Sequence, residues 1–475
     1  MFRPTAARPI PSLRPVPDFV GLPDGGRSLP VDTKLAIAGG SAIAWFVVSA
    51  VIAIATSAGL ASILSWPYAL AMAVLTVGIP AGLAAFRAVS ALLDKTVPVL
   101  RVRPTTPVTV VMTSGDPALA ASTLGFLAAQ DYDGPKRVVV VDCGRGDVVA
   151  RESARAALEL GLDLEVEAEP PGMLDARNAA LEHVGTPLVL AVEPGAYLHP
   201  SALRLLVARL ESEPPITAAV SAHTLVRNRD PGRDAEGLAA GWSLELDAAR
   251  RCEAMFAGPL AVDGTCTLFR TDALRAVNGW PGGRAGDVLL AWRFLERGGR
   301  VVNEPLAIAC ATTIVTMSTP ARFRADAARA VRQAARDGGG VRGLPERSSQ
   351  VMACLDRVAP ALDLAFTLAW VQALALVALG QVTLVVAHLV LVVPLALAGS
   401  ALERRRHREV LDEAGLALVA PHEVRGAALV GLLAVQGPVA TWQRIRGLVR
   451  VPSLGGRGVG VTPRRWLGGP ARPYA

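Results

Sequence analysis

Residues 189–203 read VLAVEPGAYLHPSAL, and this stretch decides the fold. It begins as an apolar strand, breaks at Glu193 and the Pro-Gly pair that follows, and resumes as an amphipathic segment after His199. In α/β proteins ligands gather beyond the carboxyl ends of the strands, where a terminal carboxylate and a tight turn present a site. The stretch therefore predicts an α/β domain with a ligand site near Glu193.

The region 104–340 continues this pattern, because short β-branched segments alternate with amphipathic segments rich in Ala, Leu and Arg. Such alternation is typical of an α/β domain. The predicted strands are residues 108–112, 137–141, 164–168, 187–192 and 264–270. The predicted helices are residues 118–129, 174–183, 287–298 and 321–336, with another ending near residue 160 and an amphipathic region at 241–257.

The composition indicates membrane spans in addition to this domain. Of 475 residues, 52% are hydrophobic and the mean hydropathy is +0.39, which is high for a soluble enzyme. Residues 34–93 hold two apolar runs with a break at 65–67, and residues 362–402 can hold two more with a turn at Gly380. Because one crossing needs about 20 apolar residues, four transmembrane helices are predicted.

The basic residues orient these spans. The break at 65–67 carries no Lys or Arg, whereas Arg27, Lys34 and Lys95 flank the other side. Basic residues stay on the cytoplasmic side, so we expect a multi-pass protein of the cell membrane with its α/β domain and both termini in the cytoplasm. The remaining predicted segments are a disordered Pro/Arg-rich tail (1–33), a basic cytoplasmic segment (403–424), an interfacial, re-entrant or fifth transmembrane helix (425–443) and a basic cytoplasmic tail (444–475).

Several classes of function are disfavoured. The net charge of +7 comes from arginines that sit beside the spans, and only 5% of residues are aromatic, which argues against nucleic-acid binding. The five cysteines lie far apart without CxxC or Cys/His spacing, so we expect free thiols in a reducing compartment. The spans hold almost no interior charge, which argues against a transporter.

Six segments of the domain contain side chains that could bind a ligand or take part in catalysis. They are VTVVMTSGDP (108–117), VVVVDCGRGD (138–147), PGMLDARNAAL (171–181), EPGAYLHPSAL (193–203), RAGDVLLAWRFLERGGRVV (284–302) and RQAARDGGG (332–340). In chain order, the candidate residues are Asp116, Asp142, Arg177, Asn178, Glu193, Asp287, Gln333 and Arg336.

In this order and at these separations, the segments resemble those of inverting family 2 glycosyltransferases, in the membrane-bound branch of cellulose and hyaluronan synthases. The resemblance covers the whole domain, and the flanking spans match as well. It implies the fold class: an α/β GT-A nucleotide-sugar-binding domain, with a Rossmann-like mixed sheet, flanked by transmembrane helices.

The resemblance implies that Asp116, Asp142, Arg177 and Asn178 bind the donor. Asp142 would contact the uracil of a UDP-sugar, and Arg177 would pair with a phosphate in forked geometry. Asn178 would bond the nucleotide or orient its loop. Asp116 has an equal alternative as a turn or helix cap, and the alternative for Arg177 is a surface residue without a partner.

Residues 193–203 align without gaps on the family signature Asp-x-Asp-x-x-x-x-Pro-x-x-Leu, whose two acids hold Mg²⁺ or Mn²⁺ against the departing diphosphate. Glu193 takes the first acidic place, whereas Gly195 takes the second and has no side chain. One carboxylate together with diphosphate oxygens and waters can still hold Mg²⁺, more weakly. The expected cofactor is therefore Mg²⁺ or Mn²⁺, with Glu193 as its protein ligand.

Asp287 occupies the place of the family's general base, which removes a proton from the acceptor hydroxyl, and a helix N-cap is a compatible role. Gln333 and Arg336 fit the family's Gln-x-x-Arg-Trp motif, which binds the donor diphosphate and the acceptor end. Asp337 replaces that Trp, which argues against a typical processive synthase. An Arg-rich helix can also match the Gln-x-x-Arg pattern by chance.

Two functions follow. The first is a membrane glycosyltransferase that moves a sugar with inversion from a nucleotide-sugar, a UDP-sugar above all, to a lipid-linked or polysaccharide acceptor in cell-envelope glycan synthesis. The second is a catalytically inactive relative that serves a partner synthase or binds a ligand. Four signature places are altered and favour the second: Cys143, Gly195, Gly286 and Asp337.

Overall fold

The computed structural model describes residues 29–94, 103–143, 147–168, 173–228, 233–256, 260–282, 286–313, 319–337 and 340–413. The structural statements below concern these residues. The predicted helix at 425–443, the C-terminal tail and most of the N-terminal tail lie outside them.

The N-terminal part is an apolar helical hairpin. Its helices are α1 (Val31–Ala55), α2 (Ala58–Ile63), α3 (Trp66–Ala73) and α4 (Ile79–Leu93), and a π-helical turn at Val74–Gly78 joins the last two. The chain reverses at Ser65, whose side chain accepts a hydrogen bond from the Tyr68 N–H and caps α3. Gly78 and Gly82 pack against α1 near Phe46, so the two arms run antiparallel in close contact. The helices are interrupted near the predicted break, between Ile63 and Trp66, and also at Thr56 and Ser57; α1 begins slightly before residue 34.

The α/β domain contains one eight-stranded sheet with strand order β3-β2-β1-β4-β7-β6-β8-β5. Its strands are β1 (Val108–Ser114), β2 (Lys136–Asp142), β3 (Asp163–Ala168), β4 (Leu188–Val192), β5 (Tyr197–Leu198), β6 (Thr217–Asn228), β7 (Cys266–Arg270) and β8 (Arg300–Thr313). Strands β3, β2, β1 and β4 are parallel, whereas β7 runs antiparallel to both of its neighbours. The predicted class, a Rossmann-like mixed sheet, is confirmed.

Helices cover both faces of the sheet. They are α5 (Pro117–Ala128), α6 (Val148–Leu160), α7 (Met173–His183), α8 (Ala202–Ser212), α9 (Arg233–Phe256), α10 (Thr271–Ala276), α11 (Gly286–Glu296) and α12 (Thr319–Asp337). Alternate side chains of a strand point to opposite faces, so Val110 packs with α5 and α8 whereas Val111 packs with α7 and α11. Burial on both faces explains the continuous valine run of β2.

The sequence-based prediction missed the two longest strands, β6 and β8. They pair in parallel over most of their length, with a shift in register between Ala222 and His223. Their sequences, TAAVSAHTLVRN and RVVNEPLAIACATT, are rich in Ala and polar residues, and Ala and Asn are depleted in strands. Pairing between distant segments, rather than local propensity, therefore defines these strands.

The C-terminal helices are α13 (Arg347–Ala378), α14 (Thr383–Leu391) and α15 (Val393–Glu413). The predicted turn is confirmed, because Gly380 lies between α13 and α14 with φ +78°. By length and composition, three helical runs can cross a membrane: Val31–Ala55, Trp66–Leu93 and Thr383–Asp412. The apolar part of α13, Leu364–Ala378, is shorter than the other three, so within the described residues three of the four predicted spans are long and apolar enough to cross a membrane.

The C-terminal helices pack on the hairpin and on the α/β domain. Arg87 of α4 pairs with Glu403 of α15 at 3.2 Å. Arg251 of α9 donates a hydrogen bond to the Glu403 carbonyl at 3.2 Å. A shared apolar cluster includes Ala38, Phe256 and Met352, which come from α1, α9 and α13. The apolar helices and the sheet therefore form a continuous packed structure.

Candidate donor and acceptor site

The carboxyl edge of the parallel strands gathers most of the predicted site residues. Ser114 and Asp142 are paired at the ends of β1 and β2. Glu193 follows β4, and its N–H donates to the Thr265 carbonyl at 2.9 Å. Because β7 is antiparallel, residues just before it also reach this edge. The edge therefore presents acidic groups from both parts of the mixed sheet.

Asp142 is buried, and its carboxylate takes part in the helix that follows. Its Oδ2 accepts a hydrogen bond from the Ala150 N–H at 3.0 Å, in the first turn of α6. Unpaired N–H groups at a helix start favour such a carboxylate. Asp142 is at the predicted edge, and its contact with a base stays a prediction.

Asp116 has the role of a helix cap. Its Oδ1 accepts hydrogen bonds from Ala118 N–H at 2.9 Å and Leu119 N–H at 3.4 Å, at the start of α5. This is the alternative that the sequence left open. Asp116 is exposed and follows β1 at the same edge of the sheet. That it binds the donor stays a prediction.

The turn after Glu193 explains why the second acidic place is a glycine. Gly195 has φ +82°, a conformation that side chains rarely adopt, and a Cβ there would lie 2.9 Å from Leu119 Cδ2. The Gly195 N–H donates to Thr123 Oγ1 at 2.8 Å. Backbone conformation and packing therefore both favour Gly195, and Glu193 is the one acid of this signature.

Asp263 is a site residue that sequence reasoning missed. It is buried just before β7, where Oδ1 accepts a hydrogen bond from the Thr265 N–H at 2.7 Å and the carboxylate forms an ion pair with Arg250 of α9. In the sequence, Asp263 directly precedes the strand predicted at 264–270. That position indicates a site residue only when the strand is known to run antiparallel beside β4, because its start then lies at the carboxyl end of β4.

Asp287 lies in the first turn of α11 and faces the same edge. A Cβ on Gly264 would lie 3.0 Å from Asp287 Oδ2, so the absence of a side chain at Gly264 leaves room for this carboxylate. Burial raises the pKa of Asp287 to about 7, Asp263 adds to the rise, and Arg177 and Arg250 oppose it. A carboxyl group with this pKa can accept a proton near neutral pH.

Arg177 and Asn178, on α7, behave differently. The Asn178 side chain donates to the Trp280 carbonyl at 3.0 Å and accepts from the Trp280 N–H at 2.8 Å. Of its two predicted roles, loop orientation is the one that the hydrogen bonds support. Arg177 is partly buried, and its positive charge acts on Asp287.

Gln333 and Arg336 lie on the exposed face of α12. Val331 and Ala334, on the opposite face, are buried in the apolar cluster beside α13. Gln333 Nε2 donates to Asp337 Oδ2 at 3.5 Å. Among the described residues, no hydrogen bond or ion pair connects Gln333 or Arg336 to Glu193 or Asp287, so their role at the donor stays a prediction.

Glu193 can supply one carboxylate ligand to a divalent cation. Among the described residues, no group of three ligating side chains surrounds it, so the protein does not offer a complete cage. Mg²⁺ in nucleotide enzymes is held by one or two carboxylates together with substrate phosphates. A partly exposed Glu193 at the strand edge fits that arrangement, in which the diphosphate supplies the other ligands.

Comparison with known proteins gives likenesses in structure only. No protein-family model matches the chain, and no curated protein matches it. The chain is similar to the mannosyltransferase PcManGT from Pyrobaculum calidifontis, solved with GDP-Man and Mn²⁺, at 20% identity over 84% of this chain and 96% of that chain, with a TM-score of 0.48. It is also similar to residues 1–349 of S. aureus TarS with UDP-GlcNAc, at 16% identity over 72% and 92%, with a TM-score of 0.38.

Proposed function

We propose that the protein is a membrane glycosyltransferase of the GT-A fold that transfers a sugar with inversion from a nucleotide-sugar to a glycan or lipid-linked acceptor. The observation that carries the proposal is Asp287, whose carboxyl group lies beside Gly264 with a pKa of about 7. A group of this kind is suited to general-base catalysis.

In the proposed reaction, the Asp287 carboxylate removes the proton of the acceptor hydroxyl. The hydroxyl oxygen attacks the anomeric carbon from the face opposite the diphosphate. The new carbon–oxygen bond forms as the bond to the diphosphate breaks, and the nucleoside diphosphate leaves with the electron pair. Attack from the opposite face inverts the anomeric configuration.

Donor binding is assigned to the residues along the strand edge and α12. Asp142 would contact the base and Arg177 a phosphate, while Asn178 orients the Trp280 loop. Asp116, Gln333 and Arg336 complete this proposed donor-binding set. A divalent cation bound by Glu193 and the diphosphate would neutralise the charge of the leaving group.

The three long apolar helices support a position in the cell membrane, with the α/β domain on the cytoplasmic side where nucleotide-sugars are made. The acceptor would then be a growing envelope glycan or a lipid-linked sugar that reaches the domain at the membrane surface. Membrane lipid and a synthase subunit are the other partners in this proposal.

The decisive experiment is release of nucleoside diphosphate by the full-length protein in detergent. The panel would contain UDP-sugars and GDP-mannose, with Mg²⁺ or Mn²⁺ and with mixed membrane lipids as a source of acceptor. Asp287→Asn should abolish release while donor affinity by calorimetry stays within about threefold. Asp272→Asn, an exposed acid in the first turn of α10, is the matched control.

A catalytically inactive relative is the second candidate, and two observations favour it. Gly195 is favoured by the conformation of its own turn, and the Asp116 carboxylate already caps α5. Donor binding by calorimetry without release of nucleoside diphosphate from any member of the panel would support this function and refute catalysis.

A further inference from the structure

Three buried side chains from distant parts of the chain meet where α15 packs on the domain. They are His223 of β6, Asp247 of α9 and His407 of α15, with relative exposures of 6%, 4% and 7%. Two of the six histidines in the chain are therefore in one cluster. Polar groups this deeply buried must be paired or bound to a metal. The proposed transfer reaction uses none of the three.

The distances between these groups suit a small cation. His223 Nδ1 is 3.1 Å from Asp247 Oδ1, and His407 Nδ1 is 2.9 Å from Asp247 Oδ2. Ligand atoms of all three residues lie within 4.8 Å of one another. A tetrahedral Zn²⁺ with bonds of about 2.0–2.1 Å separates its ligand atoms by about 3.3 Å. Small side-chain movements would therefore bring three ligand atoms onto one ion, with the fourth position left for a water molecule.

The surrounding charges permit a cation. Arg251 is shared between two carboxylates, Asp247 at 3.0 Å and Asp94 at 3.7 Å. When the two imidazoles are neutral, Asp247, Asp94 and Arg251 together give the cluster one net negative charge. Lys34 acts on Asp94, and Arg406 acts on it from α15 but has its own acidic partner on the same helix. A hydrogen bond from Arg251 is also the kind of contact that orients a ligating carboxylate.

We propose that His223, Asp247 and His407 bind one transition-metal ion of the Zn²⁺ type. A set of two imidazoles and one carboxylate suits Zn²⁺ and similar transition-metal ions, whereas Mg²⁺ and Ca²⁺ prefer oxygen ligands alone. The ion connects the strand β6 and the helix α9 to the C-terminal helix α15. It therefore clamps the α/β domain to the membrane-associated part of the chain, independently of any transfer activity.

The test uses full-length protein in detergent, purified through a tag without histidine, stripped with a chelator and reloaded with Zn²⁺. Mass spectrometry of the metal content should find about one Zn²⁺ per chain. An excess of about 100-fold over the Kd should raise the Tm by about 3 °C. Co²⁺ in place of Zn²⁺ should give the visible absorption of a tetrahedral site.

His223→Ala and His407→Ala should each weaken Zn²⁺ binding by at least about 100-fold. The matched control is His183→Ala, which removes an exposed imidazole paired with Glu167 at 2.9 Å and should bind Zn²⁺ like the parent. If the variants do not fold, the Co²⁺ spectrum and metal content of the parent decide.

Two results would overturn the proposal. The first is a parent protein that takes up no stoichiometric Zn²⁺ and keeps its Tm, which would leave the cluster as hydrogen bonds alone. The second is equal Zn²⁺ binding by the parent and both histidine variants, which would place the ion elsewhere.

Discussion

Lowering the pH from about 8 to about 6 should reduce kcat/KM for sugar transfer about tenfold, because protonated Asp287 cannot act as a base. Burial raises the pKa of Asp287 from 3.8 to about 7. A base of that pKa is about 90% ionised at pH 8 and about 10% ionised at pH 6. A carboxyl group at its ordinary pKa would stay almost fully ionised over the same range.

The assay measures the initial rate of nucleoside diphosphate release between about pH 5.5 and 8.5. The donor concentration is kept well below KM, so that the rate follows kcat/KM and its pH dependence reports the pKa of the free enzyme. Of the two arginines that lower the pKa of Asp287, Arg177 has the larger effect and Arg250 the smaller. Arg177→Gln should therefore move the break in the profile to higher pH, in addition to weakening donor binding. Asp272→Asn should leave the profile unchanged.

The same proton affects stability. The folded protein keeps a proton on Asp287 up to about pH 7, whereas the unfolded chain loses it near 3.8. The free energy of unfolding therefore falls as the pH rises between these values, and Asp287→Asn should remove that part of the dependence. Either of two results would refute the reasoning. One is a rate that does not change between about pH 5.5 and 8. The other is an Asp287→Asn variant that stays active and whose pH–rate profile breaks at the same pH as that of the parent.

Three further substitutions test individual positions. Asp116→Ala should lower the free energy of unfolding by about 1 kcal/mol through loss of the cap, and it should also weaken donor binding by calorimetry; unchanged donor affinity would leave the cap as its role. Gly279→Ala should cost about 2 kcal/mol or more, measured as a lower Tm, because φ is +69° and the new Cβ overlaps Asn178 Oδ1. Gly195→Asp should lower the Tm through strain at φ +82° and contact with Leu119, and Mn²⁺ titration should show no tighter binding; tighter binding would contradict this account.

Local sequence determined the elements whose burial shows in their own composition. The valine run of β2 indicates burial on both faces of the sheet, and the long apolar runs indicate helices that can cross a membrane. The turn at Gly380 follows from the length of its apolar run, which is too long for one crossing. The position of Glu193 at the end of β4 was also readable, because an acid and a turn directly follow an apolar strand.

Only the tertiary structure decided which of these groups meet. β6 and β8 form because distant segments pair, and β7 runs antiparallel, which brings Asp263 beside the carboxyl end of β4. His223 and His407 are separated by 184 positions, 407 − 223, yet contact one carboxylate. Periodicity records which face of an element is buried, whereas the partner on that face depends on long-range packing that no local pattern contains.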